Sequence, residues 1–221
     1  PLVAIIIDDL GYDKKIAKKL SDLDAMLTFS ILPYSPFQKS IARLSRDKGF
    51  GIMLHLPMEP VEYPGVNPGP GTLLTSMTPD ELTRQLEKDL DAVPFIRGVN
   101  NHMGSKMTAE SSQMYQIFSI LKKKGLYFVD SRTTVETLCK PSARLFQIPF
   151  AQRDVFLDHL VEGEFIRKQL KELVRIAQRN GYAIGIGHPH SLTYQVLREM
   201  LPDLQKKIRL VPVSEIVHLV G

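Results

Sequence analysis

The chain has 221 residues, 43% of them hydrophobic and 24% charged, with 28 basic against 24 acidic side chains and a formal net charge of +4. That length suits one large domain, and that composition is of an ordinary globular protein rather than a disordered or fibrous one. The positive surplus is scattered, with Lys122-Lys123-Lys124 its densest run, which excludes the stripe or arm of a nucleic-acid binder; the single Cys139 excludes an internal disulfide and an all-cysteine zinc site; no apolar run approaches the roughly 18 residues of a membrane span.

A chain beginning at Pro1, without Met or a basic leading region, reads as a trimmed or mature form. The first predicted element organises the rest. Val3-Ala4-Ile5-Ile6-Ile7 is a continuous apolar run leading into Asp8-Asp9, the pattern of a strand buried on both faces, as in parallel sheets. Adjacent strand residues point to opposite sides, so a local twist, expected at Leu10-Gly11, must bring both carboxylates to one place. Asp13 is placed to cap a helix starting near Lys14. Leu27 to Leu32 reads as a second strand, and Pro36 to Lys48 as an amphipathic helix. Gly51 to Leu56 is a third strand, carrying His55 and closed by Pro57. Pro57 to Thr72, with five prolines and three glycines, is a long loop, and long ordered loops are usually functional. Thr78-Pro79-Asp80-Glu81 supplies the cap, the first-position proline and the capping-box acid of a helix reaching about Asp91.

Ile96 to His102 is a fourth strand, Ala109 to Lys124 a helix stopped by Gly125, and Leu126 to Asp130 a fifth strand. Phe146 to Phe156 holds one or two short extended pieces around Pro149. Glu164 to Arg179 is a long amphipathic helix, Ala183 to His188 a late strand followed by Pro189-His190, and Tyr194 to Leu201 helical. Ile208 to Val211 is a last strand, with a short helix from Ser214. Gly185-Ile186-Gly187 lies inside a strand and is no nucleotide fingerprint. About seven or eight strand-helix units without a break in composition predict a single α/β domain over 1–221. The expected architecture is a closed or nearly closed, distorted parallel (β/α) barrel, with an open doubly wound sheet as the alternative.

In such a barrel the polar strand ends share one rim, where active sites occur. Asp8 and Asp9 end the first strand, His55 the third, His102 the fourth, Asp130 the fifth, and His188 and His190 the late one. Four of six histidines on one rim beside two carboxylates form the ligand set of a catalytic divalent metal, zinc being the commonest case. His159 and His218 lie elsewhere and receive no role.

The order of these residues resembles that of the polysaccharide deacetylases, the NodB-like carbohydrate esterases. Ile6-Ile7-Asp8-Asp9 stands in the place of their Thr-Phe-Asp-Asp motif, whose first Asp is the general base and whose second binds metal. His55-Leu56-Pro57-Met58-Glu59 stands in the place of His-Ser/Thr-x-x-His, with Glu59 replacing the second histidine. Asn100-Asn101-His102-Met103-Gly104 falls where the family has Arg-Pro-Pro-Tyr-Gly, and Ile186-Gly187-His188 resembles its final Leu-His. The pattern is most similar to the divergent branch of the family, across Asp8-Asp9-Leu10-Gly11, His55 to Glu59, Asn101 to Ser105 and Gly187-His188-Pro189-His190.

The resemblance implies a NodB-like barrel and a metal-dependent deacetylase of an N-acetylated carbohydrate polymer, working outside the cytoplasm in the cell envelope. It implies Asp8 as base, His188 as acid, and Asp9 and His55 as metal ligands. For the third ligand, Glu59 has the family's position and His102 has the chemistry of an imidazole at a strand end; His102 is the preferred reading. Glu59, Asn101, Ser105, Asp130, Arg132 and His190 are candidate substrate-binding or supporting groups. The alternative function is a catalytically inactive carbohydrate-binding or cell-envelope protein that keeps the fold and the metal site. The lost histidine and arginine of the second and third motifs favour that alternative.

Overall fold

A computed structural model describes residues 1–221. The chain opens with β1 (Leu2–Leu10), in which Val3 to Ile7 are fully buried; burying each isoleucine contributes ~1.5–3 kcal/mol. Asp13 then caps α1 (Lys14–Ser21), its Oδ1 accepting from the N–H groups of Lys15 at 2.8 Å and Ile16 at 3.1 Å. β2 (Thr28–Ile31), α2 (Gln38–Asp47), β3 (Gly51–Met58) and α3 (Pro79–Ala92) follow, the last opened by the expected capping box of Thr78 and Glu81. Next come β4 (Gly98–Met103), α4 (Ser111–Lys124), β5 (Tyr127–Asp130), α5 (Cys139–Phe146), β6 (Pro149–Gln152) and β7 (Val155–Phe156). The chain ends with α6 (Gly163–Asn180), β8 (Tyr182–Gly187), α7 (Ser191–Leu204), β9 (Arg209–Leu210) and β10 (His218–Leu219).

The strands form one curled sheet in the order β10-β6-β5-β4-β3-β2-β1-β8-β7, with β9 also beside β1. Every pairing is parallel except that of β10 with β6. The two sides of the curl meet in one continuous segment. In Pro149–Phe156 the first half pairs with β5 and the second half with β8, and the change of neighbour falls at Arg153-Asp154. There the Arg153 N–H donates to Asp130 O and the Asp154 N–H to Ile184 O, both at 2.9 Å. The barrel reading therefore holds, with a seam.

Strand alternation sorts the core into two layers. Val3, Ile5 and Ile7 pack outward in the large cluster shared with the helices, as do Leu54, Val99, Phe128 and Phe150. Ala4, Ile6, Met53, Val129, Ala151, Ile184 and Ile186 fill a smaller cluster inside the curl. Two residues further along each inward row lie Asp8, His55, Ser131, Arg153 and His188. The same period places Asn100 and His102 on one face of β4.

Three local expectations are corrected. β3 does not close at Pro57 but runs through it to Met58, Pro57 lying opposite His102 in register. The twist that redirects the two carboxylates is at Asp9 itself, with φ of +54°, and a register shift against β2 falls between Ile7 and Leu10. No helix is predicted between Asp130 and Phe146, yet α5 forms there; Pro141 in its first turn masks its pattern, and Thr137 Oγ1 receives the Cys139 N–H in place of an ordinary cap.

Candidate active site

The rim at the carboxyl ends of β1, β3, β4 and β8 brings together Asp8, Asp9, His55, His102 and His188. Regular alternation would send Asp9 outward after Ile5 and Ile7. The left-handed backbone at Asp9 turns its carboxylate back toward the histidines, a conformation that aspartate tolerates better than most residues. Gly11 completes the turn at φ of +140°, where a Cβ would lie 1.9 Å from Ser35 Oγ.

Asn100 sets the orientation of the cluster. Its Nδ2 donates to Asp8 Oδ1 at 2.8 Å, because the opposite rotamer would turn a carbonyl against a carboxylate. Its Oδ1 therefore faces Ser30 Oγ at 2.5 Å and His55 Nδ1 at 2.9 Å, both of which must donate. With the proton on Nδ1, His55 presents the lone pair of Nε2 to the rim. That atom lies 3.1 Å from Asp9 Oδ1 and 3.1 Å from His102 Nδ1, and the third edge, His102 Nδ1 to Asp9 Oδ1, is 3.0 Å. Asp9 Oδ1, one corner of this triangle, is buried without a hydrogen-bond donor. Bonds of about 2.0–2.2 Å to one cation would set neighbouring ligand atoms about 3 Å apart at right angles and about 3.3–3.6 Å apart in a tetrahedron. An orphaned oxygen, two imidazole nitrogens and these spacings fit a divalent metal.

The carboxylates and imidazoles of the cluster also shift one another's pKa. Burial works against the charge of Asp9, but the imidazoles of His102 and His55 outweigh it and hold the carboxyl far below the usual range. Asp8 is dominated by burial, which raises its pKa against the pull of His55 and His188. Burial also opposes a charged His55, yet Asp8 and Asp9 raise its pKa. Asp8 Oδ2 lies 3.7 Å from His55 Nε2.

His188 is oriented by Asp158, which sequence reasoning passed over. Its Nδ1 is 2.8 Å from Asp158 Oδ1, its N–H donates to Asp158 Oδ2 at 2.7 Å, and Thr193 Oγ1 donates to the same oxygen at 2.7 Å. His188 Nε2 is thereby turned inward, 4.0 Å from Asp9 Oδ2. Burial disfavours the imidazolium, but Asp158, Asp8 and Asp9 together push its pKa up to about 9. The signal for Asp158 was the apolar Val155-Phe156-Leu157 run ending in an acid, a shorter copy of the β1 pattern.

The other candidates lie in different roles. Glu59 is buried under the Pro- and Gly-rich loop; its Oε1 receives Lys106 Nζ at 2.7 Å, and its Oε2 receives Thr75 N at 2.5 Å and Thr75 Oγ1 at 2.7 Å. Asn101 faces outward like Val99, its amide tied to Ser131 N and Met103 O. Asp130 shares the outward parity of Phe128 and holds the next turn through Arg132 N at 2.7 Å and Thr137 Oγ1 at 2.9 Å. Ser105 Oγ accepts the Val61 N–H at 3.0 Å and so fastens the loop. His190 sits exposed at the start of α7, its ring 6.0 Å from that of His188 and grouped with it and Asp158. Arg132 stands at the rim with a free side chain.

A curled parallel sheet with two aspartates and three histidines on its carboxyl rim is the architecture of the NodB-like α/β proteins. The chain belongs to the divergent polysaccharide deacetylase family, whose model matches residues 5–217. It is 34% identical over 216 residues to the uncharacterised protein YibQ of Escherichia coli, a match covering 98% of this chain and 67% of YibQ. Its structure superposes on that of the uncharacterised protein ATU2773 from Agrobacterium tumefaciens with a TM-score of 0.93 at 29% identity, covering 98% of this chain and 89% of the other. The Bc1960 peptidoglycan N-acetylglucosamine deacetylase shares the fold, with a TM-score of 0.56 at 16% identity, covering 96% of this chain and 86% of that one.

Proposed function

We propose that the protein is a metal-dependent hydrolase that removes acetyl groups from an N-acetylated polysaccharide of the cell envelope. The observation that carries this reading is the buried, donorless Asp9 Oδ1 in its triangle with two imidazole nitrogens, beside a second carboxylate and a carboxylate-backed histidine. Asp9, His55 and His102 would hold the ion, zinc being the commonest for such donors. Bound there, the ion supplies Lewis-acid polarisation of the amide carbonyl and makes water more acidic.

The remaining work falls to the chain. Asp8 is pinned through Oδ1 by Asn100, which leaves Oδ2 to take a proton from water as general base. Burial lifts its pKa toward the range where a base is effective at neutral pH. His188 carries the proton to be given up: Asp158 fixes Nδ1, so the proton on Nε2 faces the rim and passes to the leaving amine. Asn100 keeps His55 in the tautomer that offers Nε2.

Acetate release from N-acetylglucosamine oligomers by the zinc-loaded protein tests the reading. Asp8→Asn should lower turnover by about 10²–10⁴-fold while retaining the metal. Wild type indistinguishable from Asp8→Asn across several substrates would overturn it in favour of a carbohydrate-binding role.

A further inference from the structure

Next to the catalytic cluster the rim carries a polar cavity of about 410 Å³, lined by Arg132, Thr133, Thr134, Val135, Arg153 and Asp154. Its two arginines are positioned by unlike means. Arg153 ends the inward row of β6 and is clamped: Nε donates to Ser131 O at 2.8 Å, Nη2 to Arg132 O at 3.2 Å, and the guanidinium lies 3.7 Å over the Phe156 ring. Arg132 sits on left-handed backbone, φ +52°, in the turn that Asp130 fastens through Arg132 N and Thr137 Oγ1. Its side chain is half-buried and makes no hydrogen bond or ion pair. The one carboxylate in the lining, Asp154, is engaged by the Ile184 N–H at 2.8 Å.

Two guanidinium groups share this cavity with a single carboxylate, Asp154, one oxygen of which is already taken by the Ile184 N–H, so the lining keeps a net positive charge that an anion would balance. Burial and then the like charge of Arg132 lower the pKa of Arg153, against the opposing pull of Asp130, Asp154 and Asp8. A fixed fork beside an unpaired one suits bidentate recognition of a carboxylate or a phosphate. The side chains that hold Arg153 also touch the reacting groups. Phe156, beneath Arg153, lies 6.1 Å from the His188 ring, and Ser131, which holds Arg153 through its carbonyl, accepts at Oγ from the same Asn100 amide that holds Asp8. A cavity of about 410 Å³ suits one small unit, such as a single charged sugar, rather than a whole chain.

We propose that Arg132 and Arg153 form an anion subsite, and that the polymer deacetylated here carries a carboxylate or phosphate on a sugar adjoining the reacting one. This rests on the deacetylase reading and narrows its substrate to acidic glycans. The test is calorimetric binding in an Asp8→Asn background, where turnover does not intrude. The probes are a neutral N-acetylglucosamine oligomer and oligomers of equal length bearing a carboxylate or a phosphate on alternate residues. At low salt one of the acidic oligomers should bind about 10- to 100-fold tighter than the neutral one, the effect of a charge-assisted hydrogen-bond pair. Arg132→Gln should collapse that ratio toward one, and Arg132→Lys should restore part of it. Unaltered thermal midpoints would show that the fold survives in each variant. Equal affinities, absence of binding, or a ratio untouched by Arg132→Gln would overturn the subsite. An Arg132-dependent preference that persists while no acetate is released from any substrate would count against the deacetylase reading alone.

Discussion

Two carboxylates, Asp9 near the end of β1 and Glu59 just after β3, have β2 between their strands, and the family's motifs put both at the positions of metal ligands. Their surroundings differ in kind. Around Glu59 the neighbours are donors: an ammonium from Lys106, and an N–H and a hydroxyl from Thr75. Around Asp9 Oδ1 they are imidazole nitrogens, one fixed by Asn100 to present a lone pair, and no donor reaches the oxygen. The first arrangement is complete within the chain; the second leaves an acceptor unpaired, with a geometry that fits a cation. A binding centre is thus marked by what its polar atoms still lack rather than by residue types, since both places hold an acid among polar side chains.

The largest effect that would break this contrast is on metal content. Asp9→Ala or His102→Ala should abolish stoichiometric zinc uptake measured by elemental analysis, while Glu59→Ala should keep it. If Glu59→Ala lost the metal and His102→Ala retained it, the assignment of the third ligand would be reversed.

An intermediate effect is expected at Asp158. Activity should rise with pH as Asp8 loses its proton and fall again near pH 9 as His188 loses its own. Asp158→Asn removes the strongest influence raising the pKa of His188, so the alkaline limb of the rate profile should move to lower pH. A limb left in place would mean that His188 is not the acid.

The smallest effect is at Glu59 and should appear in stability alone. Glu59→Ala leaves Thr75 and Lys106 without their acceptor and should cost about 1–3 kcal/mol in denaturant unfolding. Burial opposes the charge of Glu59, but Lys106 and Thr75 overcome it and lower its pKa below the ordinary 4.5. Its contribution is therefore present above that value and fades as pH falls through the lowered one. The gap between wild type and Glu59→Ala should narrow in acid; a constant gap would show that the ion pair adds nothing.

The strand order and the polar rim were legible in the sequence because buried parallel strands write themselves as apolar runs with polar ends. What the ends do depends on parity, which a boundary error of one residue conceals. Asp130 and Asn101 end strands as plainly as Asp8 and His55, yet face the helices. Asp9 breaks parity through a single left-handed residue, which no periodicity announces. Asp158 and Arg153 escaped notice because the strands that precede them are only two and four residues long. Arg153, arising from β6, also has no counterpart in the motifs that the resemblance supplied.

The seam at Arg153-Asp154 has a consequence for how the chain assembles. β1 pairs with β8, matching Leu2 to Tyr182 across most of the chain, while β7 pairs with β8 and β6 with β5 and β10. Such long-range pairing carries the entropic delay of a high contact order. The segment 149–156 bridges the two sides of the sheet with only three residues paired to β5 and two to β8. In amide hydrogen exchange its protons should be released at lower opening free energy than those of the central strands β1 and β3, making this short stretch the hinge line along which the wall first parts.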